Sequence, residues 1–242
     1  MTAALISITL RALLNRRRTL LLSLLGALLV GVAAIYRFSD PAGGDSLEVT
    51  HALLGDFGIG VLLPLVAVIV GTSALGSELE DGTIVYLLAR PVPRWRIAIV
   101  KWLMAWVITS LLVAPAIFIA GLIGHGDGQM ALGYAVASIV GALEYCAVFV
   151  ALSIVTSRAL IVGLAYVVVW EGFVAALFAG TRQISIRQHA LAVAEALGGN
   201  GTTGIAELEL ANALIIGTVL TILAAFVAIR RLGDVELRGE TA

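Results

Sequence analysis

The sequence is poor in cysteine and in charge, and each shortage excludes a class of protein. Charged residues make up only 13% of the 242 residues, against about 25% in an ordinary soluble domain. The single cysteine, Cys146, excludes an intrachain disulfide framework and a cysteine-rich zinc or iron–sulfur site. The 15 basic and 16 acidic residues nearly balance, so the sequence lacks the basic surplus that indicates a nucleic-acid partner.

Lysine occurs only once, as Lys101. The P-loop of ATP-hydrolysing motors, G-x-x-x-x-G-K-[ST], needs a glycine before its lysine, and Val100 stands there instead. The H-E-x-x-H pattern of zinc proteases does not occur either. We therefore expect no catalytic residues, no metal site and no cofactor in this chain.

Apolar residues are abundant, at 60% against about 45–50% in a typical soluble domain. They form six runs of a length that can cross a bilayer core, which takes about 20 residues in a helix. The sequence therefore predicts an all-α membrane protein, with residues 1–242 forming a single transmembrane domain. The predicted spans are 19–35, 57–76, 102–124, 131–156, 159–179 and 211–229.

The distribution of Arg and Lys predicts the orientation, because positively charged flanks stay on the cytoplasmic side. Twelve of the 15 basic residues fall on one side of the six spans, and only Arg37, Arg182 and Arg187 fall on the other. Both termini are then cytoplasmic, and Ser157-Arg158 forms a tight cytoplasmic turn. We expect a multi-pass protein of a bacterial or archaeal plasma membrane.

The N-terminal residues 1–18 carry a polar stripe on an otherwise apolar helix, formed by Ser7, Arg11 and Asn15. This pattern is typical of an interfacial helix on the inner leaflet. A cytoplasmic extension of the first span is the plainer alternative. The run Arg16–Arg18 before an apolar segment also resembles a secretory or twin-arginine signal.

The segment between the last two spans, about 181–210, predicts a short amphipathic helix that caps the outer side. The three histidines, His51, His125 and His189, all fall in predicted external segments.

Two acidic residues, Glu144 and Glu171, lie roughly midway along the fourth and fifth predicted spans. An ionisable side chain at the centre of a membrane helix costs about 2.5–3.5 kcal/mol, so each needs a partner or a function. One interpretation is that they line a substrate pathway or relay a proton. The other is structural, with each one hydrogen-bonded to a neighbour such as Tyr145 or Tyr166.

The loop 77–101, between the second and third spans, is dense in charge. Ser77 and Glu80 have capping-box spacing, and Thr83 can begin a short helix that Pro91 ends. This helix is far too short to span, yet it has an apolar face. It is therefore a candidate docking element.

The string S-E-L-E-D-G-T-I-V-Y-L-L-A-R-P-V-P-R-W-R in this loop resembles the loop between spans two and three of ABC-2-type exporter permeases. In that family the short helix is the coupling helix, which seats in a groove of a separate ATP-binding subunit. The resemblance puts the following residues at the entry and exit of a coupling helix: Glu78, Glu80, Asp81, Gly82, Thr83, Arg90, Pro91, Pro93 and Arg94.

The resemblance implies a permease subunit of an ATP-driven ABC exporter. Its partners would be a separate ATP-binding subunit, which holds ATP and Mg, and a second permease chain, identical or paralogous. A proton-coupled secondary transporter using Glu144 and Glu171 is one alternative, and a non-transporting membrane assembly factor is another. No residue in the sequence selects a cargo.

Overall fold

The computed structural model describes residues 16–39, 46–80, 93–177 and 179–234, and within these ranges the chain is helical, with no β-strand. The prediction of an all-helical fold is confirmed. The helices, in chain order, are α1 (Arg16–Ser39), α2 (46–80), α3 (Arg94–Gly124), α4 (Gly128–Val155), α5 (159–177), α6 (Ile186–Leu197) and α7 (Leu210–Asp234). Short 3-10 turns, Ala179–Ile184 and Gly199–Thr202, flank α6.

Five of the described helices are long and apolar enough to cross a membrane: α1, α2, α3, α4 and α7. The apolar stretch of α5, Ala159–Val174, is shorter. Both α2 and α3 are longer than the predicted spans 57–76 and 102–124. Helix α2 continues to Glu80, and α3 already begins at Arg94. The loop predicted over 77–101 is therefore shorter than expected, because polar side chains at the end of an apolar run do not by themselves end a helix.

Two helices contain π-helical segments. In α2 the segment Ala52–Leu62 comes just before Pro64, which has no N–H to donate and whose ring crowds the preceding turn. The N–H of Leu63 instead donates to the carbonyl of Gly58, five residues back, so the helix is widened and stays continuous. A second π segment, Tyr166–Val174, makes up the middle of α5.

Successive long helices run in opposite directions. Ser46 Oγ lies 2.9 Å from His125 Nδ1, so the start of α2 and the end of α3 share one end of the bundle. Arg18, near the start of α1, contacts Ser73, near the end of α2, at the other end. We call this second end, which includes the turn between α4 and α5, the basic end. The basic residues at the helix ends and in the turn there are Arg16, Arg17, Arg18, Arg94, Arg96, Arg158, Arg230 and Arg231.

The helices are unequally buried. The most apolar windows of α2 and α4 are 61% buried within the chain, whereas those of α1 and α7 are only 22% buried. Helix α4 is central and packs against α2, α3, α6 and α7. The apolar faces of α1 and α7 therefore remain open to lipid or to another chain.

Helix α6 packs antiparallel to α4. A Cβ on Gly133 of α4 would lie 2.7 Å from Gly198 Cα, just after α6, while Gly141 of α4 faces Ala190 of α6. Such close approach of two helix backbones needs glycine. The sequence placed this helix as a cap on the outer side, but the structure buries its beginning inside the bundle, with Ile186 and Ala190 fully buried.

Candidate functional site

The two acidic residues singled out in the sequence lie in one polar cluster inside the bundle. Glu144 of α4 and Glu171 of α5 are each 4% exposed. Both contact α6 or the residue that precedes it. The cluster therefore joins three helices, and α6 supplies the partners for both carboxyl groups.

Glu171 is bonded to the beginning of α6. Its Oε2 accepts a hydrogen bond of 2.5 Å from the Ser185 hydroxyl, and its Oε1 accepts one of 3.0 Å from the Ile186 backbone N–H. Ser185 is the N-cap residue of α6, and its Oγ also accepts from the N–H of Gln188. Glu171 thus satisfies one of the N–H groups that the first turn of a helix leaves without an intrahelical acceptor.

Glu144 is bonded to His189, one turn further along α6. Glu144 Oε2 lies 2.7 Å from His189 Nδ1, and His189 Nε2 lies 2.8 Å from the Gln183 carbonyl oxygen. A carbonyl oxygen only accepts, so Nε2 carries a proton. The proton between Nδ1 and Oε2 then belongs either to an imidazolium beside a carboxylate or to a carboxylic acid beside a neutral imidazole. In both states the pair is neutral overall.

Opposing effects act on the pKa of His189. Burial lowers it, whereas the hydrogen bond and the charge of Glu144 raise it, and the net effect is a pKa above the ordinary histidine range. The Gln183 carbonyl and Glu171 act in the same direction as Glu144. His189 is therefore stabilised in its protonated form by acceptors on α4, on α5 and in the turn before α6.

Helix α7 closes the cluster from another side. A Cβ on Gly217 of α7 would lie 2.7 Å from the carboxyl carbon of Glu144. Only a glycine leaves room for the carboxyl group at this point. The position of Glu144 thus depends on α4, α6 and α7 together.

A lateral groove of about 340 Å³ lies beside the cluster, between α2 and α5. Its polar lining residues are Asp56, Glu171 and Arg187, and Asp56 and Arg187 form an ion pair. The side chain of Asp56 is 72% exposed. Ionisable residues inside a membrane bundle mark solute pathways or subunit contacts more often than lipid-facing surface. The groove therefore offers both signs of charge to a solute or to a neighbouring chain.

The carboxyl groups have partners at α6 that the sequence did not suggest, in addition to the tyrosines that it did. His189 was expected in an external segment, but it is 1% exposed and is the partner of Glu144. Tyr145 and Tyr166, which the sequence suggested, interact with Glu171. Glu171 also accepts hydrogen bonds from Ser185 and Ile186, which the sequence did not suggest. The low hydropathy of 181–210 concealed these contacts. One usable signal was present, since S-I-R-Q from Ser185 has the spacing of a helix start.

The predicted coupling residues fall mostly outside the described residues. Asp81, Gly82, Thr83, Arg90 and Pro91 lie in the segment 81–92, which the structure does not describe. Those on either side lie at helix ends: Glu78 and Glu80 belong to the last turn of α2, while Pro93 is the N-cap of α3 and Arg94 its first residue. Ser77 and Glu80 have the spacing of a capping box, which is typical of a helix start, but both lie at the end of α2, because that helix runs unbroken from Leu63 to Glu80.

The long apolar helices define a multi-pass helical membrane protein. Residues 3–189 match the family described as "ABC-2 family transporter protein". The match covers most of the chain. The chain therefore belongs to the ABC-2 transporter family, as its loop motif indicated, and is a permease component without an ATPase of its own. No curated protein matches the sequence.

Proposed function

We propose that this chain is the membrane-spanning subunit of an ATP-driven ABC exporter. It would form the substrate pathway and take its energy from a separate ATP-binding subunit. The observation that carries the proposal is the family match over residues 3–189, in a chain whose single lysine lies outside any P-loop. ATP and Mg would then bind to the partner subunit alone.

The position of the segment 81–92 supports a coupling role for it. Helix α2 ends at Glu80 and α3 begins at Arg94, and both of these helix ends lie at the basic end of the bundle. The segment therefore joins two long helices at the end where positive charge collects. A docking element there could transmit movement of an ATP-binding subunit directly to α2 and α3.

The proposed topology has six spans, with α5 as the fifth and α7 as the sixth. The basic end would face the cytoplasm of a bacterium or archaeon, because positively charged flanks stay inside. A second permease chain, identical or paralogous, would cover part of the apolar surface that α1 and α7 leave open. The groove with Asp56 and Arg187 would then border the pathway between the two chains.

The geometry favours different roles for the two buried carboxyl groups. Glu171 accepts hydrogen bonds from two donors at the start of α6, which suits a side chain that holds α6 in place. Glu144 shares a proton with His189 and can change its charge. We propose a structural role for Glu171 and a gating or pathway role for Glu144.

Co-purification tests the proposal. The tagged chain is purified from the organism that produces it, any P-loop ATP-binding protein that co-purifies is quantified, and the Glu80→Ala and Arg90→Ala variants are compared with wild type. Each variant is expected to reduce recovery of the ATP-binding subunit severalfold and to reduce transport with it. Arg37→Ala is the matched control, since Arg37 is exposed at the opposite end of the bundle. Unchanged recovery and unchanged transport in both loop variants would contradict the coupling assignment.

A proton-coupled secondary transporter is the second candidate, and the Glu144–His189 pair is the observation that favours it. Proteoliposomes containing this chain alone distinguish the two functions. Uptake driven by a pH gradient, insensitive to vanadate and abolished by Glu144→Gln, would support the secondary transporter. Transport that requires the ATP-binding subunit and hydrolysable ATP would support the exporter.

A further inference from the structure

A second cavity, of about 410 Å³, opens at the basic end of the bundle. It lies between the beginning of α1, the end of α2 and the turn that joins α4 to α5. It is separate from the buried carboxylates and from the lateral groove. Its polar lining residues are Arg18, Thr72, Ser73, Ser153, Thr156 and Ser157.

The cavity has a positive charge that nothing in its described lining balances. Arg18 lines it, and no Asp or Glu is among its lining residues whose side chains the structure describes. The Nη2 atom of Arg18 donates to the Ile69 carbonyl and to Ser73 Oγ, while its buried Nε makes no hydrogen bond to the described part of the chain. A guanidinium carries five N–H donors, and Nη2 supplies both of the hydrogen bonds that Arg18 makes to the described residues. The remaining charge and donor capacity of Arg18 suit a phosphate group, which accepts several hydrogen bonds from one guanidinium.

Two hydroxyl groups at the mouth of the cavity can add donors. Thr156 Oγ1 accepts from the Arg158 backbone N–H at 3.2 Å, which leaves the hydroxyl proton of Thr156 able to donate elsewhere. Ser157 is exposed in the same turn. By contrast, the hydroxyls of Thr72 and Ser153 donate to carbonyls of their own helices. The donors thus gather at the open side of the cavity.

The surface around this cavity is apolar. Leu21 and Leu24 of α1 are 66% and 65% exposed, and Leu160 and Ile161 at the start of α5 are 45% and 65% exposed. Where no other chain covers them, such side chains in a membrane protein face acyl chains. A lipid with a phosphate headgroup would suit both the cavity and the apolar surface around it. Its phosphate would lie beside Arg18, and its acyl chains would lie along α1 and α5.

We propose that this cavity binds the phosphate headgroup of an anionic lipid, with Arg18 as the principal ligand and Thr156 and Ser157 at its mouth. The bound lipid would link α1 to the turn between α4 and α5. This site is independent of the exporter function, because neither its residues nor its ligand belong to the proposed pathway or coupling segment.

Native mass spectrometry of the purified full chain tests the site. Phosphatidylglycerol is titrated against wild type, and diacylglycerol of the same chain length serves as the lipid without phosphate. Wild type is expected to retain one phosphatidylglycerol and to show no such retention of diacylglycerol. Arg18→Gln should weaken this binding about tenfold, the loss of one charge-assisted contact. Arg230→Gln is the matched control, because it removes an exposed charge from α7 at the same end.

Ser157→Leu provides a second variant in case Arg18→Gln does not fold. It places a bulky side chain on an exposed turn at the mouth of the cavity and should also weaken retention. Equal binding by wild type and either variant would overturn the proposal, as would equal retention of both lipids. Complete displacement of the lipid by millimolar inorganic phosphate would show that the site recognises free phosphate, and would overturn the assignment to a lipid.

Discussion

Two buried carboxyl groups meet the same short helix in different ways. Glu171 faces two fixed donors at the beginning of α6, the Ser185 hydroxyl and the Ile186 N–H. Glu144 faces the imidazole of His189, which can hold or release a proton. The backbone N–H of Ile186 has one protonation state at any physiological pH, whereas His189 has two.

The difference shows that burial alone does not define the role of an acidic residue in a membrane bundle. Both side chains are 4% exposed. What separates them is whether the partner can titrate. The stability that Glu171 provides should therefore respond to loss of its acceptor atoms, and the stability that Glu144 and His189 provide should respond to pH as well.

The largest effect is expected for Glu171→Ala, which leaves the Ser185 hydroxyl and the Ile186 N–H buried without their acceptor. Each such group costs about 1–3 kcal/mol, so the variant should lose about 4 kcal/mol of stability in total. Unfolding by SDS in mixed micelles measures it. Glu171→Gln is the matched control, since its carbonyl can still accept from Ile186 and its amide can donate to Ser185 Oγ. An alanine variant as stable as the glutamine variant would refute the capping role.

A smaller effect is expected for Gly217→Ala, which changes no charge. The added methyl group would collide with the Glu144 carboxyl group and push it from His189. We expect a loss of about 2 kcal/mol, typical of overpacking in a well-packed core. The same SDS titration measures it, and Gly31→Ala serves as the control because a Cβ there meets nothing within 4 Å. If the two variants behave alike, α7 does not constrain Glu144.

The third prediction concerns pH. Because the pKa of His189 is raised in the folded chain, the stabilisation from its protonated form is complete below the ordinary histidine pKa of about 6.5. It is lost as the pH rises through the higher pKa of the folded state. Wild type should therefore unfold at lower temperature at pH 9 than at pH 6. In Glu144→Gln, which can still form a hydrogen bond with Nδ1 but removes the charge, this decline should shrink. An unchanged pH profile in that variant would mean that Glu144 does not control His189.

The smallest effect on stability is expected for Asp56→Asn. The pair of Asp56 with Arg187 is largely exposed on the side of Asp56, and exposed pairs contribute about 0–1 kcal/mol. The variant should unfold like wild type in SDS and lose transport activity if the groove borders the pathway. A loss of more than about 2 kcal/mol in the free energy of unfolding would instead show that the pair of Asp56 and Arg187 stabilises the fold as much as the buried contacts of Glu171 do.

Much of the fold could be predicted from the sequence, because a bilayer requires long apolar helices whatever their neighbours are. The family could also be predicted, from a loop motif whose local spacing needs no knowledge of packing. The helix ends were less predictable, as the extension of α2 to Glu80 shows. The buried site was predicted only in half: Glu144 and Glu171 were recognised as needing partners, but His189 was placed outside the bundle.

The sequence by itself determined that this chain is a helical membrane protein with two acidic residues too costly to leave without partners. Only the tertiary structure decided which partners they have. Glu144 and His189 are 45 residues apart, and they meet because glycines on α4 let α6 pack antiparallel against it. Hydropathy records how much each segment avoids water, which is a property of single side chains. The fit of one helix against another depends on both surfaces together, so it emerges only when the chain is folded.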